Sequence, residues 1–187
     1  MKYVKMLGLL AVAAAAMMAF AGVASATTLT SPSGTTYTGN IAASAGLTEL
    51  HGEAFSVACN KSAVSGKVEK HGAGVTAGGN IGSLTFSECS FPVTVLKAGS
   101  LEVHATSGGN GTLTSSGAEI TIHGPFGINC LYKTSGTDVG NLTGGSNAKL
   151  DIDSSLIPRT GDSAFCGAAG EWTGSYNVTT PNPLIVD

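Results

Sequence analysis

In the segment KLDIDSS, Leu150 and Ile152 alternate with Lys149, Asp151 and Asp153. A chain with this period of two sends successive side chains to opposite faces, so it buries one side of a strand and wets the other. The pattern recurs along the chain. AFSVACN puts Phe55, Val57 and Cys59 on one face, and SLEVHAT sets Leu101, Val103 and Ala105 against Glu102 and His104. AEITIHG gives Ile120 and Ile122, and EWTGSYNV gives Trp172, Tyr176 and Val178 against Glu171, Thr173 and Ser175. Past Ala26 no stretch repeats its apolar residues at helical spacing, and turn-formers such as SPSG, SGGNG and GGSN punctuate the strands at short intervals. This predicts an all-β antiparallel domain, a sandwich or barrel, with a β-sandwich or jelly-roll-like form as the leading expectation.

The N-terminus predicts export. Lys2 and Lys5 precede the uncharged run MLGLLAVAAAAMMAFAGV, and Ala24-Ser25-Ala26 offers the small-x-small pattern of a signal-peptidase site. The expected organisation is a cleaved signal peptide over residues 1–26 and a secreted all-β domain over 27–187. A retained membrane anchor is the alternative, because the run approaches the ~20 residues that span a bilayer. The Ala-rich composition and the adjacent Ala-Ser-Ala favour cleavage.

Low charge and many β-branched residues disfavour disorder. The net charge is −3, and loss of Lys2 and Lys5 with the signal leaves the mature chain more acidic. No basic arm or stripe survives, which argues against a nucleic-acid partner.

The chain carries four cysteines, an even number that suits a disulfide framework in an exported protein. Two of them close the pattern Phe-x-[Val/Ile]-x-Cys, FSVAC at Phe55–Cys59 and FGINC at Phe126–Cys130. TLTSPSG from Thr28 and TLTSSG from Thr112 precede the two copies; GNIG from Gly79 and GNLT from Gly140 follow them. Each half then ends on another cysteine, Cys89 or Cys166. The shared order suggests an internal duplication, with chance matches in Gly/Thr/Ser-rich sequence as the rival. Of the three possible pairings, the repeat favours Cys59 with Cys89 and Cys130 with Cys166, one bridge per half.

Chemistry is weakly signalled. GDSAFCG holds Ser163 in a setting like that of a trypsin-type nucleophile, but Ala164 and Phe165 replace the glycines of the oxyanion loop and no base or orienting acid is evident. A turn leading into a bridged cysteine explains it better. His51, His71, His104 and His123 are scattered without zinc-site spacing. Asp151 and Asp153, with Asp138 in an earlier turn, read as solvated carboxylates rather than as a calcium or glycosidase site. Trp172 and Tyr176 are candidates for a sugar-stacking platform, though alternation points both inward. Asn60, Asn110, Asn141 and Asn177 fit the N-x-[Ser/Thr] pattern, which is expected by chance in so Thr-rich a chain.

The ordered run LTSPSGTTYTG, FSVACNKSAVSGKVE, NIGSLTFSEC, GTLTSSGAEITIHGPFGINC and AFCG…EWTGSY resembles a group of uncharacterised exported bacterial proteins common in actinobacteria. More distantly, in composition and cysteine order, the chain resembles the secreted protein activator of alkane oxidation of pseudomonads. The resemblance implies a small extracellular or surface accessory protein linked to growth on hydrophobic substrates, and brings no catalytic residue. The functional expectation is a secreted, non-catalytic binding protein without a cofactor. Its partner is an unidentified ligand, a polysaccharide or an apolar surface; nucleic acid and a stable membrane span are not expected. The alternative is a structural subunit or adhesin that self-associates by strand addition.

Overall fold

The computed structural model describes residues 27–31, 33–53, 55–71, 76–158 and 164–187. The expected signal segment 1–26 and Ser163 lie outside the described residues. Among the described residues the chain forms twelve strands: β1 (Leu29–Thr30), β2 (Asn40–Ala45), β3 (Thr48–His51), β4 (Ser56–Lys67), β5 (Ala77–Cys89), β6 (Val93–Lys97), β7 (Ser100–Ala105), β8 (Gly111–His123), β9 (Asn129–Thr143), β10 (Lys149–Pro158), β11 (Gly170–Thr180) and β12 (Ile185–Val186).

Two pairs of these strands act as single staves. β2 and β3 pair with β4 in one unbroken register, from Asn40↔Lys67 to Ala45↔Ser62 and on from Thr48↔Cys59 to His51↔Ser56. β6 and β7 likewise run together along β8, with a one-residue shift between Val95 and Lys97. Eight staves therefore follow one another in chain order, each antiparallel to the next, and β11 pairs with β10 on one side and with β2 and β3 on the other. The result is a closed up-and-down barrel. The all-β antiparallel class with two disulfides stands. Within it the chain takes the barrel form: a jelly roll carries Greek-key crossovers, whereas here each stave pairs with its sequence neighbours.

The alternation now has an address. Leu150, Ile152, Ser154 and Leu156 of β10 are buried while Lys149, Asp151, Asp153 and Ser155 are exposed. Tyr132, Leu113, Ile122, Leu142, Val57 and Leu50 come from four other strands and fill the same interior. The outward face is mostly polar and charged, with Leu96 and Ile157 as exposed apolar residues, unlike the continuous apolar outer band of a membrane barrel. No helix among the described residues is long and apolar enough to cross a membrane.

Both disulfides lie at one end of the barrel. Cys59 faces Cys89 directly across the β4–β5 ladder, and Cys130 at the start of β9 reaches Cys166 in the single 3-10 turn Ala164–Cys166 after β10. Each half thus ties its second stave to the end of its third. The rest of the suspected repeat does not superpose. The two TLT segments fall on β1 and on β8, and GNIG and GNLT fall on β5 and β9, which are not equivalent staves. Phe55 packs edge-on against Phe91, whereas Phe126 stands fully exposed. At the opposite end β1 and β12 form a two-residue ladder, and Leu29, Leu184 and Val186 close the barrel there.

Non-reducing peptide mapping should recover the Cys59–Cys89 and Cys130–Cys166 peptides and no other pair. Each bridge closes a loop of 30 or 36 residues, so the double change Cys59→Ser/Cys89→Ser should lower stability by about 3 kcal/mol in denaturant titration.

Candidate ligand cavity

The interior is not packed evenly. Toward the disulfide end it holds Tyr132, Trp172 and Tyr176, with Phe86 against the indole at 5.6 Å and Tyr176 at 6.0 Å, both edge-to-face. Tyr132 donates its hydroxyl to the Cys166 carbonyl at 2.8 Å. It needs glycine beside it, because a Cβ on Gly170 would lie 2.7 Å from its ring. Gly174 plays the same part for Thr48, whose methyl would meet the added carbon at 2.6 Å. The room at Gly174 therefore serves Thr48.

Toward the other end aliphatic residues alone face inward, and they leave a cavity. Its volume is about 70 Å³, room for roughly five to seven groups the size of a water or a methylene. Leu29, Val103, Leu113, Leu142, Val178 and Leu184 form its floor and walls. Val64, Ile81, Leu101 and Leu150 also line a second void of about 10 Å³ that reaches Ser115, Trp172 and Tyr176. On the outside, Ile41, Ser65, Gly66, Lys67 and Asn80 line both the large cavity and an open groove over β2, β4 and β5. The β4–β5 ladder slips its register between Ser65 and Gly66 at this same place. A β-bulge bends and locally unpairs a strand, which marks this point as the mouth.

A few polar groups enter the interior. Ser62 Oγ donates to the Thr85 carbonyl at 2.8 Å, so the Tyr176 hydroxyl is the donor in its 2.7 Å bond to Ser62 Oγ. Burial pushes Tyr176 up to about 12, opposed by the Ser62 hydroxyl and by the nearby Trp172 indole. The indole N–H lies close enough to act on that hydroxyl but outside hydrogen-bond geometry, and Trp172 Nε1 is buried without a partner, as is Thr48 Oγ1. Ser115 Oγ and Thr134 Oγ1 bond each other at 3.0 Å.

The remaining candidates are spread over the outside. Asp151 and Asp153 are exposed on β10, where Asp151 accepts from Ser175 Oγ at 2.6 Å, and Asp138 is exposed on β9. His51 bonds Ser56 and Glu49, His123 bonds Asn129 and Thr94, His104 is exposed on β7, and His71 lies on the β4–β5 connection. Among the described residues no three His, Cys, Asp or Glu side chains converge as a metal site would require. Asn60, Asn141 and Asn177 are exposed on strands, and Asn110 accepts the Gly144 N–H. Trp172, 9% exposed, is a core residue and offers no face to a sugar. Sequence reasoning missed the cavity because its walls come from nine strands, the connection at Val68 and the terminal segment at Leu184. Only the inward phase of each strand was visible beforehand.

No protein family model, curated protein or solved structure matches this chain.

Two measurements check this interior. Trp172→Ala should cost about 3–5 kcal/mol, as for other buried aromatic truncations, and the wild-type emission should be blue-shifted and resist iodide. Tyr176 should make the fold sensitive to alkali. In the unfolded chain a tyrosine releases its proton near pH 10, whereas folded Tyr176 holds it to about 12. The folded state then binds more protons, so the contribution of Tyr176 to stability is constant below pH 10 and is lost as pH rises from 10 to 12. Relative to Tyr176→Phe, the wild type should lose about 2–3 kcal/mol over that window in denaturant titrations.

Proposed function

We propose that this chain is an exported, non-catalytic binding protein whose barrel interior takes up a small apolar molecule. The observation that carries the reading is the aliphatic cavity of about 70 Å³ with a mouth at the Ser65–Gly66 bulge. Interiors are normally filled to crystal density, and an aliphatic void of this kind stays dry and accepts apolar guests. The two disulfides and the signal-like N-terminus support a place outside the cell. An accessory role in growth on hydrophobic substrates, which the family resemblance implies, fits a carrier of this kind. Catalysis finds no support, since the described acids and histidines are dispersed over the outer face.

One observation favours the strand-adding alternative. Gly82–Cys89 of β5 pairs only with β4, and β6 pairs only with β8, so the wall is splayed between them. Such edges can accept a strand from another chain. Size-exclusion chromatography over a wide concentration range separates the two readings, and a concentration-independent monomer speaks against assembly.

Apolar uptake should appear as stabilisation. A guest at a hundred times its Kd raises stability by about 2.7 kcal/mol, so n-hexane should raise the Tm of the wild type. Val178→Phe places a ring in the cavity, and it should abolish that response while keeping the native far-UV spectrum.

A further inference from the structure

The second void lies between the aliphatic cavity and the single tryptophan of the chain. Val64, Ile81, Leu101 and Leu150 belong to both spaces, and Trp172 and Tyr176 close the far side of the second. An indole N–H in an apolar interior without an acceptor forfeits its bond to water. Buried donors are nearly always satisfied, and the exceptions call for an explanation. Here Tyr176 gives its own proton to Ser62, and its oxygen, still able to accept, lies outside hydrogen-bond geometry of the indole, so Trp172 Nε1 is left without a partner.

We propose that the interior takes a neutral, monofunctional aliphatic molecule of about six carbons, an alcohol or a carbonyl compound, whose oxygen accepts from Trp172 Nε1. This assignment rests on the cavity reading above and adds the polar end of the guest. The chain length follows from the volumes, about 70 Å³ for the hydrocarbon and about 10 Å³ for the group beside the indole. Neutrality follows from the lining. Among the described residues Lys67 is the one charged side chain at either void, and it is exposed at the mouth. A carboxylate beside Trp172 would be a buried charge with no cation. An alcohol or carbonyl oxygen needs one donor, and the indole is one.

Calorimetric titration with n-hexane, 1-hexanol and sodium hexanoate, on the wild type and on Trp172→Phe, tests the assignment. 1-Hexanol should bind the wild type and weaken by about tenfold in Trp172→Phe, the size of one lost neutral hydrogen bond. n-Hexane should bind both proteins within about twofold, because it has no oxygen to lose a partner. In wild-type NMR spectra the indole N–H resonance should move downfield with 1-hexanol and not with n-hexane. This readout needs no variant and decides the matter if Trp172→Phe does not fold. If hexane and hexanol both bind and the variant weakens them equally or not at all, the role of Trp172 is overturned while the apolar cavity stands. If neither binds the wild type, both readings fall. Tighter binding of hexanoate that is lost in Lys67→Ala would also overturn the assignment, and would place an acid head at the mouth.

Discussion

Pairing of β11 with β10 along one edge and with β2 and β3 along the other turns a meander into a closed wall. An open sheet of these staves would present two terminal edges and one uncovered apolar face. Closure removes the terminal edges together and gives the apolar face an inside. Everything inward of the wall follows from that step. The buried Ser62–Tyr176 bond joins β4 to β11 across the joint between the first and last staves. Gly174, at the centre of β11, admits Thr48 from the strand it closes upon.

The barrel is asymmetric along its axis. At the disulfide end the ring of Tyr132, fixed through the Cys166 carbonyl and seated over Gly170, fills the space that eight diverging staves create. At the other end the apolar side chains around the cavity are Val, Leu and Ile, which are too short to meet across the same diameter, and the β1–β12 ladder supplies Leu29, Leu184 and Val186 as a cap. Side-chain size therefore decides where the void lies. The outer surface contributes little to this division: the pairs Lys70–Glu102 and Lys97–Glu119 are solvent-exposed on their lysine sides, where such bridges are worth under about 1 kcal/mol. The Lys70 ammonium bonds the Glu102 carboxyl and holds it below its ordinary value, which is the same weak surface attraction seen from its other partner.

The period-two alternation made the strands legible residue by residue, down to the inward phase of Trp172, Tyr176 and Val178. The pairing of cysteines was legible only through the doubled Phe-x-[Val/Ile]-x-Cys pattern, and that pattern marks equivalent staves even though Phe55 packs and Phe126 does not. Closure was not legible, because periodicity says which face is buried and is silent on which strand lies beside which. The collinearity of β2 with β3 and of β6 with β7 was hidden by breaks at Gly46-Leu47 and Ala98-Gly99, which read locally as turns. The cavity was beyond the sequence for a different reason. A void is set by what opposite walls fail to supply, and each wall contributes an ordinary aliphatic residue.

Keeping that void is costly to the fold. At about 24 cal/mol per Å³, 70 Å³ corresponds to a penalty of about 2 kcal/mol, and an enlarged side chain on any of the surrounding strands would remove it. The two bridges sit at the opposite end, where each contributes stability of about 3 kcal/mol without touching the aliphatic walls. Rigidity and vacancy are thereby separated along the axis. A guest of the kind proposed would restore the dispersion contacts that the walls lack, while the cross-linked end stands apart from the space it would fill.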